Sequence, residues 1–416
     1  MRQRYRLLAA TPWSHAMTTG TPPSVLDPGG HMSDPQRHLD LVLLGATGFT
    51  GRLTAQRLAA DLAGSGLRWA IAGRDPARLR AVRDELVGDV GIEVVDVHDL
   101  VGLLDLTART RVLATTVGPF ARHGELVVQA CARQGTHYAD ITGEPAFVAL
   151  IRARYHGEAE RTGARLVSCC GFDSVPHDLG VRWTVEQLPP DRPVRIRGYV
   201  QAVGRLSGGT LNSALEAVAD RRGARLLPER REVHGRRIAP LPARVHRAAE
   251  LDAYGVPLPT IDAAVVLRSA ARLERYGADF AYGHYARVRT PWMVGAGVLG
   301  AATFAGLSSL APTRALLRRL LPSSGQGPSP QRRAASSFAV TFLAEAGDTR
   351  LTTRVSGGDP GYDETATMLA QAALSLVQDE PEHPGGGVLT PAVALGAPYR
   401  QRLEDAGLRF EVIRGG

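Results

Sequence analysis

The stretch Asp40-Leu-Val-Leu-Leu-Gly-Ala-Thr-Gly-Phe-Thr-Gly51 decides the fold class that the sequence predicts. Mostly apolar residues run into glycines at positions 45, 48 and 51, and an amphipathic run follows up to Leu62. An apolar strand, a glycine turn and a helix in this order are typical of a dinucleotide-binding βαβ unit. The residues predicted to bind the cofactor here are Gly45, Ala46, Thr47, Gly48, Phe49, Thr50 and Gly51.

Each glycine has its own task in that prediction. Gly45 permits the tight turn, Gly48 lets the backbone approach a pyrophosphate, and Gly51 lets the helix lie close to its strand. The N-terminus of the helix points unpaired N–H groups at the anion. The spacing G-x-x-G-x-x-G is a weak signal on its own, because glycine turns also occur for purely steric reasons.

Strands and helices continue to alternate after this turn. Further strands are predicted at 67–72, 93–95, 112–115 and 165–168, with helices between them. Such alternation predicts a parallel, doubly wound sheet whose ligands lie beyond the carboxyl ends of the strands. The predicted fold class is therefore α/β, with an N-terminal Rossmann-type doubly wound parallel sheet and a second α+β substrate domain.

Arg74 follows the second predicted strand, about 20 residues past the glycine turn, where an NAD site carries an acidic side chain. A guanidinium at this place suits the 2′-phosphate of NADP(H), which makes NADP(H) the predicted cofactor. The alternative for Arg74 is a solvated loop arginine.

Two further strand ends supply candidate cofactor contacts. Asp96 ends the third predicted strand, where it is placed either to bond the adenine amino group or to cap the next helix. Val117, Gly118 and Pro119 follow the fourth strand, in a loop of the kind that passes the ribose and nicotinamide of the cofactor.

A group of polar residues is predicted at the same edge of the sheet: Tyr138, Asp140, Glu144, Asp173, Ser174, His177 and Asp178. Tyr138, Asp140, Asp173 and His177 are the candidate catalytic residues. The alternative is structural, with Asp173 or Ser174 capping a helix and His177 a polar residue of its first turn.

The composition excludes several classes of protein. Of 416 residues, 44% are hydrophobic and 22% charged, as in an ordinary globular protein of two domains. The chain has no lysine, which removes Schiff-base, P-loop and Tyr-x-x-x-Lys chemistry. The net charge of +8 is concentrated locally, which does not indicate nucleic-acid binding. The three cysteines show no C-x-x-C spacing, so a reduced, cytoplasmic setting without a bound metal is expected.

The sequence resembles the saccharopine-dehydrogenase-like oxidoreductases, and within them the trans-acting enoyl reductases that serve polyketide-lipid assembly. The motifs that carry this resemblance are Gly45-Ala-Thr-Gly-Phe-Thr-Gly51, Ala72-Gly-Arg74, Thr116-Val-Gly-Pro-Phe120, Tyr138-Ala-Asp-Ile-Thr-Gly-Glu144 and Gly171-Phe-Asp-Ser-Val-Pro176. It continues through Ser207-Gly-Gly-Thr210, Gly358-Asp-Pro-Gly-Tyr362 and Gly385-Gly-Gly-Val-Leu-Thr-Pro391, and so covers nearly everything after residue 38. The missing lysine argues against saccharopine chemistry itself.

The expected organisation has four parts. These are a disordered extension at 1–37, a dinucleotide-binding domain at 38–188, a substrate domain at 189–362 with a basic insertion at 221–250 and a hydrophobic segment at 291–312, and C-terminal helices at 363–416 that pack back on the first domain.

Two of these segments admit more than one interpretation. The basic insertion either docks an acidic carrier protein or lipid headgroups, or is simply solvated. The uncharged segment 291–312, flanked by arginines, is a membrane-surface helix, a buried or homodimer-forming helix, or a true membrane span.

The resemblance implies NADPH-dependent reduction of an enoyl thioester of a long-chain lipid or polyketide intermediate, free or carrier-bound, in complex-lipid or glycolipid biosynthesis. Such a reduction needs a hydrogen-bond donor at the thioester oxygen and a proton for the α-carbon. Tyr138 and His177 are the predicted donors, and Asp140 and Asp173 are predicted to orient them. The expected location is cytoplasmic, with peripheral contact to the inner face of the plasma membrane. The alternative is a catalytically silent NADP-binding scaffold for lipid enzymes.

Overall fold

A computed structural model of the chain describes residues 37–203, 231–233, 235–295, 303 and 327–415. Most of the predicted N-terminal extension and of the segment 291–312 lies outside the described residues, and so does the first part of the basic insertion.

The first sheet has seven strands, all paired in parallel. With numbering that follows the chain, they are β1 (Leu39–Leu44), β2 (Trp69–Gly73), β3 (Gly91–Val94), β4 (Thr110–Thr115), β5 (His137–Asp140), β6 (Arg165–Val167) and β15 (Gly387–Leu389). Their order across the sheet is β15-β6-β5-β4-β1-β2-β3. The predicted parallel, doubly wound sheet is therefore confirmed.

The helices of this part follow their strands as predicted. They are α1 (Phe49–Leu62), α2 (Pro76–Arg83), α3 (Leu100–Ala108), α4 (Phe120–His123), α5 (Glu125–Gln134), α6 (Pro145–Thr162) and α7 (Val175–Glu186). Local chemistry fixes several ends: the Asp75 carboxylate caps α2 by accepting from two backbone N–H groups, with Pro76 as the first helical residue. Gly135 and Gly163 end α5 and α6 in the left-handed conformation.

The second sheet has nine strands. They are β7 (Val194–Val203), β8 (Arg231–Val233), β9 (Arg236–Pro240), β10 (His246–Ala248), β11 (Ala253–Pro257), β12 (Asp279–Val288), β13 (Ser337–Ala346), β14 (Thr349–Gly357) and β16 (Arg409–Gly415). The main order is β10-β11-β12-β7-β13-β14-β16, and β9 pairs with both β12 and β8. The antiparallel pair β13 and β14 is a hairpin that turns at residues 347 and 348.

The remaining helices are α8 (Asp262–Arg272), α9 (Pro330–Ala334), α10 (Asp363–Gln378), α11 (Pro391–Ala394) and α12 (Gly396–Asp405). Helix α10 packs on α1, β4 and β5 of the first part. Side chains join them, since Gln371 donates to Asp61 at 2.6 Å and Arg111 donates to the carbonyl of Val377 at 3.2 Å.

The structure corrects two expectations about the C-terminal part and the basic insertion. Residues 409–415 are a strand and not part of a helix: they pair with β14 in the second sheet, and the Phe410 ring meets Trp183 of α7 edge-to-face at a centroid distance of 5.8 Å. Residues 236–240 and 246–248 of the predicted insertion are strands of the second sheet. Arg236 donates there to the carbonyls of Gly277, Ala270 and Leu273, and Arg237 pairs with Asp279.

Within the described ranges, no helix combines the length and the apolar character needed to cross a membrane.

Candidate cofactor and active site

The glycine turn after β1 is sterically restricted to glycine. Gly45 has φ of +94°, and a Cβ there would lie 2.7 Å from a methyl carbon of Val117. A Cβ at Gly51 would lie only 2.1 Å from the carbonyl oxygen of Gly45. The Thr116 hydroxyl donates to that same carbonyl at 3.2 Å, which ties the turn to the loop after β4.

Helix α1 begins directly after this turn. Its N-cap is Gly48, which has no side chain to accept from the first N–H groups of the helix. These groups are therefore available to an anion. Together with the two close approaches at Gly45 and Gly51, this arrangement fits the pyrophosphate of a dinucleotide.

The predicted turn residues with side chains have different surroundings. Ala46 is buried in the core. The Phe49 ring packs edge-to-face on Tyr362, with ring centroids 4.9 Å apart, and under the guanidinium of Arg333. Thr47 and Thr50 are half-buried. The Phe49 side chain therefore joins the turn to the later part of the chain.

Arg74 is exposed, one residue beyond the end of β2. Within the part of the chain that the structure describes, it forms no ion pair with a carboxylate. Asp96 follows β3 and accepts from the backbone N–H of His98 at 2.9 Å. The cap of α3 is Asp99, which accepts from Val101 and Gly102, so the capping alternative for Asp96 is wrong.

The loops after β4 and β5 lie side by side. The Glu144 carboxylate accepts from the backbone N–H groups of Phe120 and Ala121, each at 2.9 Å. The Val117 N–H donates to the Thr115 hydroxyl, and the peptide bond between Gly118 and Pro119 is cis. These contacts hold the residues predicted to pass the nicotinamide at the carboxyl edge of the sheet.

Tyr138 and Asp140 are both fully buried. Tyr138 lies in a core cluster with Val42 and Leu113, and its hydroxyl donates to Asp140 at 2.8 Å. The predicted role of Tyr138 as a donor to substrate is therefore corrected: residues 138 and 140 share the face of β5 that is covered by helices.

Asp140 is a structural carboxylate in this arrangement. Besides Tyr138, it accepts from Ser168 and from the backbone N–H groups of Thr142 and Cys169. Burial raises the pKa of Asp140 to about 6, although these four donors oppose the shift. The carboxyl group joins the ends of β5 and β6, so the prediction that it orients a catalytic donor is also corrected.

His177 lies in the first turn of α7 and belongs to a buried cluster with Asp262 and His284. Nε2 of His177 is 3.3 Å from Oδ1 of Asp262, and Nε2 of His284 is 3.4 Å from Oδ2 of the same carboxyl group. The two imidazoles meet edge-to-face, with centroids 4.6 Å apart. All three side chains are less than 5% exposed.

Asp173 and Phe172 lie beside this cluster. A Cβ at Gly143 would lie 2.8 Å from Oδ2 of Asp173, which places the carboxylate against the loop after β5. The Phe172 ring stands between His177 and Phe338, at centroid distances of 6.2 Å and 4.9 Å. The structure thus brings two of the four predicted catalytic residues, Asp173 and His177, to one place.

The electrostatics of the cluster follow from its burial. Burial lowers the pKa of His284 to about 3 and holds the pKa of His177 well below its usual range. Burial also raises the pKa of Asp262 well above its usual range, and the negative charge of Asp173 adds to that shift. Burial therefore favours the uncharged form of the cluster, in which both imidazoles are neutral and Asp262 is protonated.

Two buried atoms of the cluster have no hydrogen-bond partner among the described residues: Nδ1 of His177 and Oδ1 of Asp262. Nδ1 of His284, by contrast, lies 3.5 Å from the Tyr282 hydroxyl. A buried polar atom without a partner is costly, so these two atoms distinguish the cluster from the fully hydrogen-bonded carboxylate of Asp140.

The sequence did not indicate that Asp262 and His284 belong to the site. Asp262 begins α8 and His284 lies within β12, so no local spacing connects either of them to His177. The three also form a set of potential metal ligands, whose ligand atoms all lie within 4.8 Å of one another. The signal that could have indicated His284 is a polar residue at a strand position where the alternating pattern predicts burial.

Comparison with known proteins agrees with this architecture. Residues 41–167 match the family model of the saccharopine dehydrogenase NADP-binding domain. A Mycobacterium tuberculosis protein provisionally named trans-acting enoyl reductase is 37% identical over 430 residues, which cover 92% of this chain and 99% of the relative. The trans-acting enoyl reductase of Mycobacterium ulcerans is 33% identical over 427 residues, covering 92% and 100%.

Among solved structures, the apo form of saccharopine dehydrogenase (L-Glu forming) from Saccharomyces cerevisiae aligns with a TM-score of 0.51 and 14% identity. The alignment covers 90% of this chain and 100% of that one, and it shows the shared fold. The cofactor is NADP(H), because the matched domain and the glycine turn both fit it. The chain belongs to the saccharopine-dehydrogenase-like NADP-binding oxidoreductases, in the branch of the trans-acting enoyl reductases.

Proposed function

We propose that this protein reduces the double bond of an enoyl thioester on a long-chain lipid or polyketide intermediate, with NADPH as reductant. The observation that carries the proposal is the buried cluster of His177, Asp262 and His284 at the edge of the sheet where the cofactor turn also lies. The names of the relatives support the same reaction class.

When bound, NADPH supplies the hydride for the β-carbon. The chain's own residues then have to stabilise the enolate oxygen and deliver a proton to the α-carbon. Oδ1 of Asp262 lies 3.3 Å from Nε2 of His177, and once protonated Asp262 donates across this distance, the N–H of His177 is at Nδ1. This N–H first donates to the enolate oxygen and then passes to the α-carbon. As Nδ1 releases its proton to the α-carbon, Nε2 takes the proton of Asp262. A proton from solvent then restores the protonated Asp262.

The test is NADPH oxidation by the purified protein with carrier-bound trans-2-enoyl thioesters of increasing chain length, followed by mass spectrometry of the acyl product. We expect a saturated product that carries one deuterium at the β-carbon when NADPH is labelled at C4. A protein that binds NADPH and leaves every enoyl chain unreduced supports the alternative, a silent NADP-binding scaffold for lipid enzymes.

At the other end of the cofactor, we propose that Arg74 binds the 2′-phosphate and that Asp96 contacts the adenine amino group. Arg74 is exposed and has no carboxylate partner in the described ranges, and one oxygen of Asp96 already holds the loop through His98. A planar guanidinium matches the geometry of a phosphate.

We also propose that residues 291–312 bring the protein to the cytoplasmic surface of a membrane. Trp292 and Met293, at the described start of this segment, are 72% and 44% exposed, and arginines precede them. Deleting 291–312 is expected to abolish cosedimentation with liposomes of anionic lipid. If the intact protein does not bind them and the deletion instead splits a homodimer, the dimer-forming interpretation of this segment is correct.

A further inference from the structure

Two histidines meet at the edge of the predicted adenosine site. His98 lies in the loop after β3, and His123 is the last residue of α4, which follows β4. Nδ1 of His123 is 3.1 Å from Nε2 of His98, and the rings meet edge-to-face with centroids 5.1 Å apart. Both follow strands at the carboxyl edge of the sheet, as Arg74 does.

The surroundings of this pair are mostly cationic. Burial lowers the pKa of His123, and the charges of His98, Arg122 and Arg74 lower it further, while Asp96 alone opposes them. The two imidazoles share one hydrogen bond, so one of the two facing nitrogens donates and the other accepts. Without an anion nearby, these neighbours disfavour the protonated form of His123.

We propose that His98 and His123 bind the 2′-phosphate of NADP(H) together with Arg74, and that the pair takes up a proton as the phosphate arrives. An anion beside an imidazole favours its charged form. NADH has an uncharged hydroxyl at this position and gains nothing from the extra proton. The histidine pair therefore makes the preference for NADP(H) over NAD(H) depend on pH.

The direction of this dependence follows from the proton that the proposal adds when the phosphate ligand binds. Affinity for the phosphate ligand is highest at low pH and falls as pH rises through the pKa of the bound form. One proton taken up per ligand changes the dissociation constant by at most about tenfold per pH unit.

The experiment uses two ligands that differ only in the 2′-phosphate: 2′-phospho-ADP-ribose and ADP-ribose. Isothermal titration calorimetry is run from about pH 6.5 to about pH 8.5, where the phosphate is mostly a dianion because its second pKa is about 6. Repeating it in buffers of different ionisation enthalpy counts the protons taken up. The proteins are the wild type, His98→Ala, His123→Ala and a control, His38→Ala, which removes an exposed histidine at the opposite end of β1.

We expect the wild type and His38→Ala to take up a proton with 2′-phospho-ADP-ribose and to bind it more weakly as pH rises. Both should bind ADP-ribose with little dependence on pH. His98→Ala and His123→Ala should bind the phosphate ligand more weakly and without proton uptake, while ADP-ribose binding is kept and shows that the variants are folded.

Two results would overturn the inference. If the variants weaken both ligands equally, the histidines contact the adenosine and not the phosphate. If proton uptake persists in both variants, another group supplies it. The inference rests on the proposed place of the 2′-phosphate beside Arg74, but neither ligand contains nicotinamide, so the outcome is independent of whether enoyl thioesters are reduced.

Discussion

Replacing His177 by alanine is expected to lower kcat for NADPH-dependent enoyl reduction by about 10²–10³, the usual effect of removing a preorganised donor. The dissociation constant of NADPH should change little, because the glycine turn that holds the pyrophosphate lies on a different strand end. Turnover should fall because alanine removes Nδ1, the ring nitrogen that is proposed to donate to the substrate and that has no hydrogen-bond partner among the described residues. Steady-state kinetics at saturating NADPH, together with direct titration of NADPH, measures both quantities.

Tyr138→Phe is the matched control for this prediction. It removes the hydroxyl that donates to Asp140 and should cost about 1 kcal/mol of stability while kcat is kept. If Tyr138→Phe loses turnover and His177→Ala does not, the assignment of the donor is wrong. Elemental analysis of the wild type and of His177→Ala separates proton transfer from metal catalysis, because His177, Asp262 and His284 are also potential metal ligands. If the wild type contains a stoichiometric metal that the variant lacks, metal catalysis replaces the proposed proton transfer through His177.

Replacing Arg74 by alanine is expected to weaken NADPH binding by about 10-fold to 150-fold, which corresponds to the 1.5–3 kcal/mol or so of a charge-assisted hydrogen bond. NADH binding should change little, since its ribose carries no phosphate for Arg74 to contact. Fluorescence titration of the two cofactors against wild type and variant measures the difference.

Arg78→Ala is the control for Arg74. Arg78 is an exposed arginine one turn into α2 that already pairs with Asp75 at 3.5 Å, so its removal changes net charge equally. Equal losses of NADPH and NADH affinity in Arg74→Ala would remove Arg74 from the 2′-phosphate site. Equal losses of NADPH affinity in both variants would assign the effect to net charge.

The sequence predicted those features of the fold that depend on neighbouring residues. The glycine turn was predictable because positive φ at Gly45 and the close approach at Gly51 exclude other side chains locally. The cap of α2 is equally local, because the Asp75 carboxylate accepts from the backbone N–H groups of Ala77 and Arg78.

Tyr138 shows where such reasoning fails. The sequence placed it at a polar strand end, but the direction of a side chain in a strand alternates, and the face of β5 that carries Tyr138 is covered by helices. Burial of that face depends on what packs there, which is a property of the whole sheet.

The sequence by itself determined the doubly wound sheet, the cofactor turn and the position of Arg74, since each follows from periodicity, glycine conformation or a short fixed spacing. The tertiary structure alone decided that Asp262 and His284 meet His177, that residues 387–389 complete the first sheet, and that residues 409–415 complete the second. The physical reason is range: capping and turn formation act over a few residues, whereas strand register and helix packing bring together residues far apart in the chain and leave no local pattern at any of them.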